Sequence, residues 1–326
     1  MKALVYDAVE TLVYRYMPDP VPAHGQSLIR VAASGICGSD MHAFLGHDER
    51  RPAPLILGHE AAGVVEGGAL DGKRVTINPL MTCGLCPACK AGRDNLCPDR
   101  QIISMPPAEG AFGELVVMAD RNLVEVPDDV PLQKAALAEP IACGWHAVRL
   151  GAAALDIPLA EARCVVIGGG AIGVGAALSL RAFGATDIHV VEPNALRRET
   201  LDSIAGFTAV APGEVTGADL VIDGVGYAAT RADASAITRP GGVIMHIGLG
   251  QAEGGLNIRR MTLQEITFIG TYTYTAQDFR DTAAAIFDGR LGPLDWIEER
   301  PLDEGAQAFA DIRAGRVPAP KIILRP

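Results

Sequence analysis

The chain has 326 residues, of which 49% are hydrophobic and 21% are charged, and this length and composition indicate a globular protein of more than one domain. The net charge of −11, without any block of like charges, argues against a nucleic-acid backbone as a partner. The sequence shows neither a secretion signal nor an apolar run of about 18 residues, so we expect a cytoplasmic protein without a membrane span.

Short apolar segments bounded by Gly and Pro occupy roughly the first 140 residues, and this pattern predicts an irregular β barrel. The predicted strands are LVYDA, TLVYRY, SLIRVAAS, AAGVVEG, KRVTINP, ELVVM and NLVEVP. From about Glu139 onward strands alternate with helices, which predicts a parallel sheet with crossover helices. Here the predicted helices are AEPIACGWHAVRL and AIGVGAALSLRAFGA, and the predicted strands are ARCVVIGGG, IHVVEPN, ADLVIDGVG and GGVIMHIGLG.

The tail of the sequence, from about Tyr274, combines a predicted helix, AQDFRDTAAAIFDGR, with a final predicted strand, KIILRP. We expect this tail to return to the first domain. The expected division is therefore a first domain of residues 1–139, completed by residues 275–326, and a second domain of residues 140–274.

Four cysteines fall within one short loop, with the spacing C-x2-C-x2-C-x7-C. Four thiolates at such spacing suit the tetrahedral coordination of zinc, and a complete thiolate shell leaves no position for a substrate. Two disulfides or an iron–sulfur cluster are the alternatives, although a reducing cytoplasm favours a metal over disulfides. The loop predicts a structural zinc site at Cys83, Cys86, Cys89 and Cys97.

A second candidate metal set comes from the segments GICGSDMH and LGHE, which supply Cys37, His59 and Glu60. A further carboxylate, Glu139, stands in the AEP segment between the two expected domains. Three protein ligands and one open position are typical of catalytic zinc. Spacing alone leaves open that the cysteine is a small buried apolar residue and the histidine a hydrogen-bonded core residue.

The segment VVIGGGAIG places Gly168, Gly170 and Gly173 between a predicted strand and a predicted helix. This G-x-G-x-x-G turn is typical of dinucleotide binding, because it lets the pyrophosphate approach the backbone at a helix N-terminus. Glu192 closes the next strand, where a carboxylate accepts from ribose hydroxyls and repels a 2′-phosphate. We therefore expect NAD rather than NADP.

Two arginines, Arg197 and Arg198, follow Glu192 and weigh against this preference for NAD. One interpretation is that both arginines lie on a solvated helix face. Arg197 could also lie against the adenosine ribose beside Glu192.

Together these motifs resemble the zinc-dependent medium-chain dehydrogenase family over essentially the whole chain. The resemblance rests on GICGSDMH, LGHE, the four-cysteine loop, AEP, GGGAIG and KIILRP. The sorbitol and threonine dehydrogenase branch is the most similar, because that branch has Glu rather than Cys in the AEP segment. The resemblance implies an α/β fold, with a GroES-like irregular β-barrel catalytic domain and a Rossmann doubly wound parallel-sheet domain that enclose an active-site cleft.

The resemblance also implies roles for individual residues. Cys37, His59 and Glu60 would bind a catalytic zinc, and Glu139 would bind it directly or through water. Ser39 would start a proton relay that His42 passes to solvent, and Asp40 could orient His59. The implied cofactor contacts are Gly168, Gly170, Ala171, Ile172, Gly173, Glu192, Arg197, Val225, Ile247, Gly248, Leu249, Thr271, Tyr272 and Thr273.

The implied reaction is hydride transfer from a secondary alcohol, such as a polyol, sugar alcohol or sugar acid, to NAD. Sorbitol dehydrogenases have Tyr where this chain has Ala43 and Arg where it has Thr273, which argues against sorbitol as the substrate. The aromatic residues Phe44, Phe112 and Tyr274 are candidates for lining a different substrate pocket. A threonine-type amino-alcohol dehydrogenase is one alternative, weakened by the lack of an obvious Arg or Lys in the pocket segments. A non-catalytic NAD-binding zinc scaffold is the other, and the intact second metal set speaks against it.

The late stretch LNIRRMTLQEITFIGTYTY is rich in β-branched and aromatic residues and should lie near an open edge of the parallel sheet. The resembling family pairs its Rossmann domains edge to edge about a two-fold axis. We therefore expect a homo-oligomer, with a tetramer favoured over a dimer.

Overall fold

A computed structural model describes all 326 residues of the chain. In its first part, β3 is the central strand, because it pairs antiparallel with β5 and β9 and, at Ser34 and Gly35, with a strand from the end of the chain. A separate three-stranded sheet has the order β2-β1-β4. The strands are β1 Lys2–Ala8, β2 Thr11–Tyr16, β3 Gln26–Gly35, β4 Leu55–Ile56, β5 Glu60–Glu66, β6 Arg74–Ile77, β7 Leu80–Met81, β8 Gln101–Ile102, β9 Leu115–Ala119 and β10 Leu123–Glu125, and the helices are α1 Gly38–Phe44, α2 Pro87–Lys90 and α3 Leu132–Ala135.

The middle of the chain forms a six-stranded parallel sheet with the order β13-β12-β11-β14-β15-β16. The order reverses beside β11, and ligands of open α/β sheets bind at such a switch point. The elements are α4 Ala138–Ala154, β11 Arg163–Ile167, α5 Ala171–Ala182, β12 Asp187–Val191, α6 Ala195–Leu201, β13 Thr208–Val210, β14 Ala218–Asp223, α7 Ala228–Ile237, β15 Thr238–His246, α8 Ile258–Leu263 and β16 Thr267–Gly270.

The last part of the chain returns to the first set of strands. It consists of α9 Ala276–Phe287, β17 Ile297–Pro301, α10 Gly305–Arg313 and β18 Lys321–Arg325. β17 and β18 pair in parallel, and β18 pairs with β3, so the final strands complete the sheet that begins the chain. None of the helices is long and apolar enough to cross a bilayer.

The edge of the parallel sheet combines a helix with a strand. Only Thr267–Gly270 of the stretch LNIRRMTLQEITFIGTYTY forms a strand, β16, which lies at the sheet edge as expected from the sequence. The preceding residues form α8, because the Asn257 side chain accepts a hydrogen bond from the Arg260 backbone N–H and caps that helix.

Helix α4 carries Glu139 and packs closely against α5. A Cβ atom at Gly144 would lie 2.5 Å from the backbone nitrogen of Ala176, so only glycine permits this approach. The contact fixes α4 against the helix that opens from the glycine-rich turn. It therefore sets the position of Glu139 relative to the carboxyl ends of the parallel strands.

Two of the aromatic candidates for the substrate pocket belong instead to a hydrophobic core. Phe44 and Phe112 are buried and pack edge-on against Phe309, with ring centroids 5.3 and 6.1 Å away. The structure thus assigns a packing role to both. The third candidate, Tyr274, lies in the active-site region described below.

A buried carboxylate joins α4 to α9. Asp278 is 2% exposed and accepts from Arg149 Nε at 2.7 Å, from the Thr275 hydroxyl at 2.7 Å, and lies 2.7 Å from His146 Nδ1. Although burial acts to raise the pKa of Asp278, these hydrogen bonds hold that pKa below its ordinary value. The ionised form therefore stabilises the fold, fully above the unfolded-state pKa of about 3.9 and progressively less as the pH falls below it.

We expect Asp278→Asn to lower the free energy of unfolding by about 2 to 4 kcal/mol near neutral pH. The difference from the wild type should shrink as the pH falls below about 4, because the carboxyl group of the unfolded wild type then binds a proton that the folded protein does not. Urea titrations over this pH range measure both effects. Asp281→Asn is the control on the same helix, since Asp281 accepts only from Gln277; a gap between wild type and Asp278→Asn that stays constant with pH would contradict the role of the charge.

Candidate active site

Three of the four predicted catalytic-zinc ligands converge. Cys37 precedes α1, while His59 and Glu60 stand at the start of β5, whose first residue pairs with Gly35 of β3. The candidate ligand atoms of Cys37, His59 and Glu60 all lie within 4.8 Å of one another, and both His59 and Glu60 are buried. A thiol, an imidazole and a carboxylate at this separation fit the donor set of a zinc ion.

The ring of His59 is surrounded by hydrogen-bonding groups. Asp40 Oδ1 and the Ser104 hydroxyl each lie 3.4 Å from Nδ1, and the Ser39 hydroxyl lies 3.4 Å from Nε2. Asp40 is fully buried and also accepts the backbone N–H of Cys37 at 3.0 Å. Burial acts to raise the pKa of Asp40, but the neighbouring His59 lowers it below its ordinary value. Asp40 therefore links the backbone of Cys37 to the ring of His59.

Glu60 is paired with a buried lysine from the other end of the chain. Lys321 Nζ, on β18, donates to both carboxylate oxygens of Glu60 at 2.6 and 2.7 Å and to the Ile36 carbonyl at 2.8 Å. Burial acts to lower the pKa of Lys321, but the charge of Glu60 raises it above its ordinary value. Both side chains are at most 4% exposed, so the pair is almost completely desolvated.

Glu139, the fourth predicted ligand, lies outside this 4.8 Å set. Its Oε1 accepts from the Tyr274 hydroxyl at 2.7 Å, and both residues are buried. Burial raises the pKa of Glu139 to about 7, and the charge of Glu60 adds to the increase. Glu139 is therefore close enough to Glu60 to interact with it electrostatically while hydrogen-bonded to a tyrosine.

The two residues of the predicted proton relay share helix α1. Ser39 contacts His59 as described above, and His42 lies three residues further along. The ring of His42 lies 6.3 Å from the ring of His47, which follows the end of α1. A hydrogen bond between Ser39 and His42 is not formed in this structure.

The four loop cysteines form a second cluster. Their sulfur atoms lie within 4.8 Å of one another, at 3.5 Å between Cys83 and Cys97 and 3.9 Å between Cys83 and Cys89. These separations exceed the disulfide bond length of about 2.0 Å, and the tetrad fits a four-thiolate zinc shell. Backbone N–H groups of Leu85 and Cys86 lower the pKa of Cys83 to about 6, which favours the thiolate that a metal requires.

The cysteine loop docks onto the segment that follows β16. The Asn95 amide donates to the Tyr272 carbonyl at 2.8 Å, and Asp94 accepts the backbone N–H of Ala276 at the start of α9. The loop thus helps to position the segment that leads to Tyr274.

The glycine-rich turn has the close approaches that its sequence predicts. Gly168 has φ of +101°, and a Cβ atom at Gly173 would lie 1.7 Å from the Gly168 carbonyl oxygen. By contrast, Gly170, the residue before α5, has open space where a Cβ would be. Ala171 and Ile172 form the first turn of α5. The turn therefore leaves room for a phosphate at the helix N-terminus.

Glu192 lies beside this turn and braces it. Its carboxylate accepts the backbone N–H groups of Gly169 at 2.9 Å and Asn194 at 2.8 Å. Arg197 lies 3.8 Å from that carboxylate, has a buried Nε without a partner, and donates to the Val317 carbonyl at 3.2 Å. Arg198 instead donates to the backbone carbonyls of Glu192 and Pro193.

The remaining predicted cofactor positions lie on loops at the carboxyl ends of β14, β15 and β16. Asp223 holds two of these loops together, since it accepts the backbone N–H of Val225 and its carbonyl accepts from Ile247 and Gly248. Two buried polar atoms here, Thr273 Oγ1 and His246 Nε2, have no hydrogen-bond partner. Such orphaned atoms fit a site that a polar cofactor completes. The predicted positions on these loops are Val225, Ile247, Gly248, Leu249, Thr271, Tyr272 and Thr273.

Family comparisons match this arrangement. The profile for the alcohol dehydrogenase GroES-like domain matches residues 23–128, and the profile for zinc-binding dehydrogenases matches residues 171–288. The chain belongs to the zinc-dependent alcohol dehydrogenase family. The resemblance inferred from the motifs and the two-part fold class are confirmed, and this alcohol dehydrogenase uses a nicotinamide cofactor.

Individual relatives cover most of this alcohol dehydrogenase. Sorbitol dehydrogenase of Bacillus subtilis is 33% identical over 296 residues, which cover 84% of this chain and 82% of the relative. L-galactonate-5-dehydrogenase of Escherichia coli is 30% identical over 309 residues, which cover 89% of this chain and 88% of the relative. A structure described as a zinc-binding dehydrogenase of Sinorhizobium meliloti, bound to NADP, is 28% identical with a TM-score of 0.87 and covers 100% of this chain and 99% of its own.

Sequence reasoning missed several residues around the site of this alcohol dehydrogenase. One indication in the sequence pointed to Lys321, which directly precedes the apolar residues of the predicted strand KIILRP. Ser104 has a positive φ of 66° and no recognisable motif. Arg51 is 3% exposed and donates from Nε to the Ser104 carbonyl at 3.0 Å and from Nη1 to Asp48 at 2.9 Å. Nothing in the local sequence distinguishes it from an exposed arginine.

Proposed function

We propose that this alcohol dehydrogenase transfers a hydride from a secondary alcohol, such as a polyol, sugar alcohol or sugar acid, to NAD. The observation that carries the proposal is the convergence of Cys37, His59 and Glu60 within 4.8 Å in the family's fold. The sorbitol and L-galactonate-5-dehydrogenase relatives support the substrate class.

The donor set favours zinc held by Cys37 and His59, with Glu60 or Glu139 as the carboxylate ligand. When bound, the metal supplies Lewis-acid polarisation of the substrate hydroxyl. Asp40 keeps the ring of His59 in one orientation, which is the usual role of a carboxylate behind a metal-binding imidazole. We assign the four-cysteine cluster to a second, structural zinc, so that each chain holds two.

The proton released from the substrate needs a path to solvent. In our proposal the Ser39 hydroxyl, 3.4 Å from Nε2 of His59, would accept this proton and give up its own to His42 on the same helix, which would release a proton to solvent. A nicotinamide cofactor bound at the glycine-rich turn would supply the hydride acceptor. The glycine-rich turn would hold its pyrophosphate at the N-terminus of α5, and Thr273 Oγ1 would gain the partner it lacks.

The test is NAD reduction with a panel of polyols, sugar acids and L-threonine, with and without a chelator. We expect activity with members of the first two groups and its loss on chelation. Activity with L-threonine alone would indicate a threonine-type amino-alcohol dehydrogenase instead. Cofactor binding without turnover of any substrate would favour the non-catalytic scaffold.

Glu192 gives a direct test of the preference for NAD. Its carboxylate lies buried beside the turn, where it would accept from the ribose hydroxyls and repel a 2′-phosphate. We expect Glu192→Ala to lower kcat/KM with NAD by about tenfold or more, the effect of losing a charged hydrogen bond, and to change the NADP value much less. Glu199→Ala, at an exposed position on α6, is the control; a wild-type enzyme with higher kcat/KM for NADP would refute the preference.

We propose that the chain is cytoplasmic and assembles as a homo-oligomer, a tetramer rather than a dimer; the exposed edge of the parallel sheet supports the assembly. Leu263, which ends α8 just before edge strand β16, is 71% exposed, and Phe268 on that strand is also exposed. Pairing of two such edges would cover these side chains and continue the sheet. Light scattering measures the mass: one near the 34.1 kDa of a single chain would refute the pairing, and a dimer would refute only the tetramer.

A further inference from the structure

A buried arginine on α7 is bonded only by backbone groups. Arg231 is 5% exposed, and its guanidinium donates four hydrogen bonds, all of them to backbone carbonyl groups. Burying a charged group is costly unless hydrogen bonds replace its shell of water. Because the surrounding carbonyl groups replace that shell, the segments that supply them are held in place around the guanidinium.

The carbonyl groups belong to two loops at the carboxyl end of the parallel sheet. Nη1 of Arg231 donates to the Gly226 carbonyl at 2.9 Å, in the loop after β14, residues 224–227, which we call the β14 loop. The other acceptors lie in the loop after β15, residues 247–257, which we call the β15 loop. They are the carbonyl groups of Gln251, Glu253 and Gly254. One side chain therefore joins the two loops.

The β15 loop has no core of its own where the arginine holds it. Four of the residues 248–255 are glycines, and the other four residues of that segment are exposed. Backbone N–H groups of Gly250 and Gln251 also bond to the β14 loop. A glycine-rich segment without buried side chains has little local stability, so the bonds from Arg231 provide much of its order.

The two loops lie where the nicotinamide half of the cofactor is expected. A dinucleotide binds across the switch point of a doubly wound sheet, with one mononucleotide on each half of the sheet. The glycine-rich turn and Glu192 belong to the half that contains β12 and β13, which leaves the ends of β14 and β15 for the nicotinamide riboside. Leu249, a predicted cofactor contact on the β15 loop, is 73% exposed, as suits a side chain that a ligand covers.

We propose that Arg231 is a positioning residue for the nicotinamide half of the cofactor, because it holds the β14 and β15 loops in one arrangement. This inference rests on the proposed function, since it adds a residue to the same cofactor site. Arg231 acts through the backbone of the two loops, which are therefore ordered before the cofactor binds. A loop that is ordered beforehand does not have to be ordered at the expense of binding free energy.

The test compares the binding of NADH with that of ADP, which has the adenosine and the pyrophosphate but lacks the nicotinamide riboside. Calorimetric titration of the zinc-loaded protein measures both. We expect Arg231→Gln to raise the Kd of NADH about tenfold and to leave the Kd of ADP unchanged, because only NADH reaches the two loops. Equal losses for NADH and ADP would indicate general damage to the fold and overturn the proposal, and so would an unchanged Kd of NADH.

Arg231→Lys separates the shape of the guanidinium from its charge, and it is the test variant if Arg231→Gln does not fold. A lysine keeps the buried positive charge, but the three donors on its single nitrogen cannot reach four carbonyl groups in two loops. We expect this variant to weaken NADH binding without changing ADP binding as well. A wild-type Kd of NADH in Arg231→Lys would show that the charge alone matters and would overturn the positioning role.

Arg260→Gln is the matched control. Arg260, on α8, also donates to backbone carbonyl groups, those of Ser235 at 2.8 Å and Thr238 at 2.9 Å. Thr238 is the first residue of β15, at the opposite end of that strand from the β15 loop. The control variant should therefore leave the Kd values of both NADH and ADP unchanged.

These binding measurements need no substrate, so they separate the inference from the proposed function. A selective loss of NADH affinity in Arg231→Gln, without oxidation of any alcohol by the wild type, would support the role of Arg231 and refute the proposed function. Oxidation of polyols by the wild type, with equal NADH affinity in the wild type and both variants, would overturn the role of Arg231 and leave the function standing.

Discussion

Replacing Cys37 with Ala is expected to abolish alcohol oxidation and leave the chain folded. Cys37 is the one thiol in the set with His59 and Glu60, so the variant should lose the catalytic metal. Loss of several kcal/mol of Lewis-acid stabilisation corresponds to a fall in kcat/KM of about 1,000-fold or more. Elemental analysis should show a decrease from about two zinc ions per chain to about one.

Cys89→Ala is the matched comparison, because it removes a thiol from the other cluster. The loop around Cys89 has little apolar core of its own, so the metal provides its order. We expect this variant to lose one zinc and to melt at a clearly lower temperature, whereas Cys37→Ala melts close to the wild type. Full activity in Cys37→Ala would show that the catalytic assignment is wrong, and an unchanged melting temperature in Cys89→Ala would show the same for the structural assignment.

Lys321→Met is expected to have the largest effect on stability of any single substitution at the ion pairs. It leaves the buried Glu60 carboxylate without the ammonium that bonds both of its oxygens. Removing one partner of a buried pair costs about 3 to 5 kcal/mol, and urea unfolding of the zinc-free protein measures it.

Two comparisons sharpen this experiment. The double variant Glu60→Gln/Lys321→Met should recover much of the lost stability, because no uncompensated charge remains. Zinc should also reduce the loss in Lys321→Met if Glu60 binds the metal directly, since the ion then supplies the missing positive charge. A Lys321→Met protein as stable as the wild type without zinc would contradict the importance of the pair.

The sequence predicted the parts of the molecule whose residues follow one another at fixed spacing. The glycine-rich turn, the four-cysteine loop and the Cys37 segment were recognisable because local geometry constrains their spacing. The parallel sheet was predictable from the alternation of strands and helices. The helix α8 was missed because a single capping side chain, Asn257, decides it.

The residues that tune the site could not be predicted, because their roles depend on contacts between distant segments. Lys321 reaches Glu60 across 261 residues, and Asn95 reaches Tyr272 across 177. Arg51 acts on two serine carbonyls that no motif places near it. In each case, the side chain has a common type and an ordinary local sequence, and only the fold gives it a partner.

The pairing of the last strand, β18, with β3 also determines the order in which parts of the enzyme can fold during translation. The intervening parallel sheet, from β11 to β16, uses only residues that emerge consecutively, so it can fold while translation continues. The carboxylate of Glu60 gains its ion-pair partner only after Lys321, the first residue of the last strand, has been synthesised. The nascent chain therefore completes its nucleotide-binding half before its metal-binding half, and a chain released before residue 321 carries a catalytic pocket with an unneutralised charge at its centre.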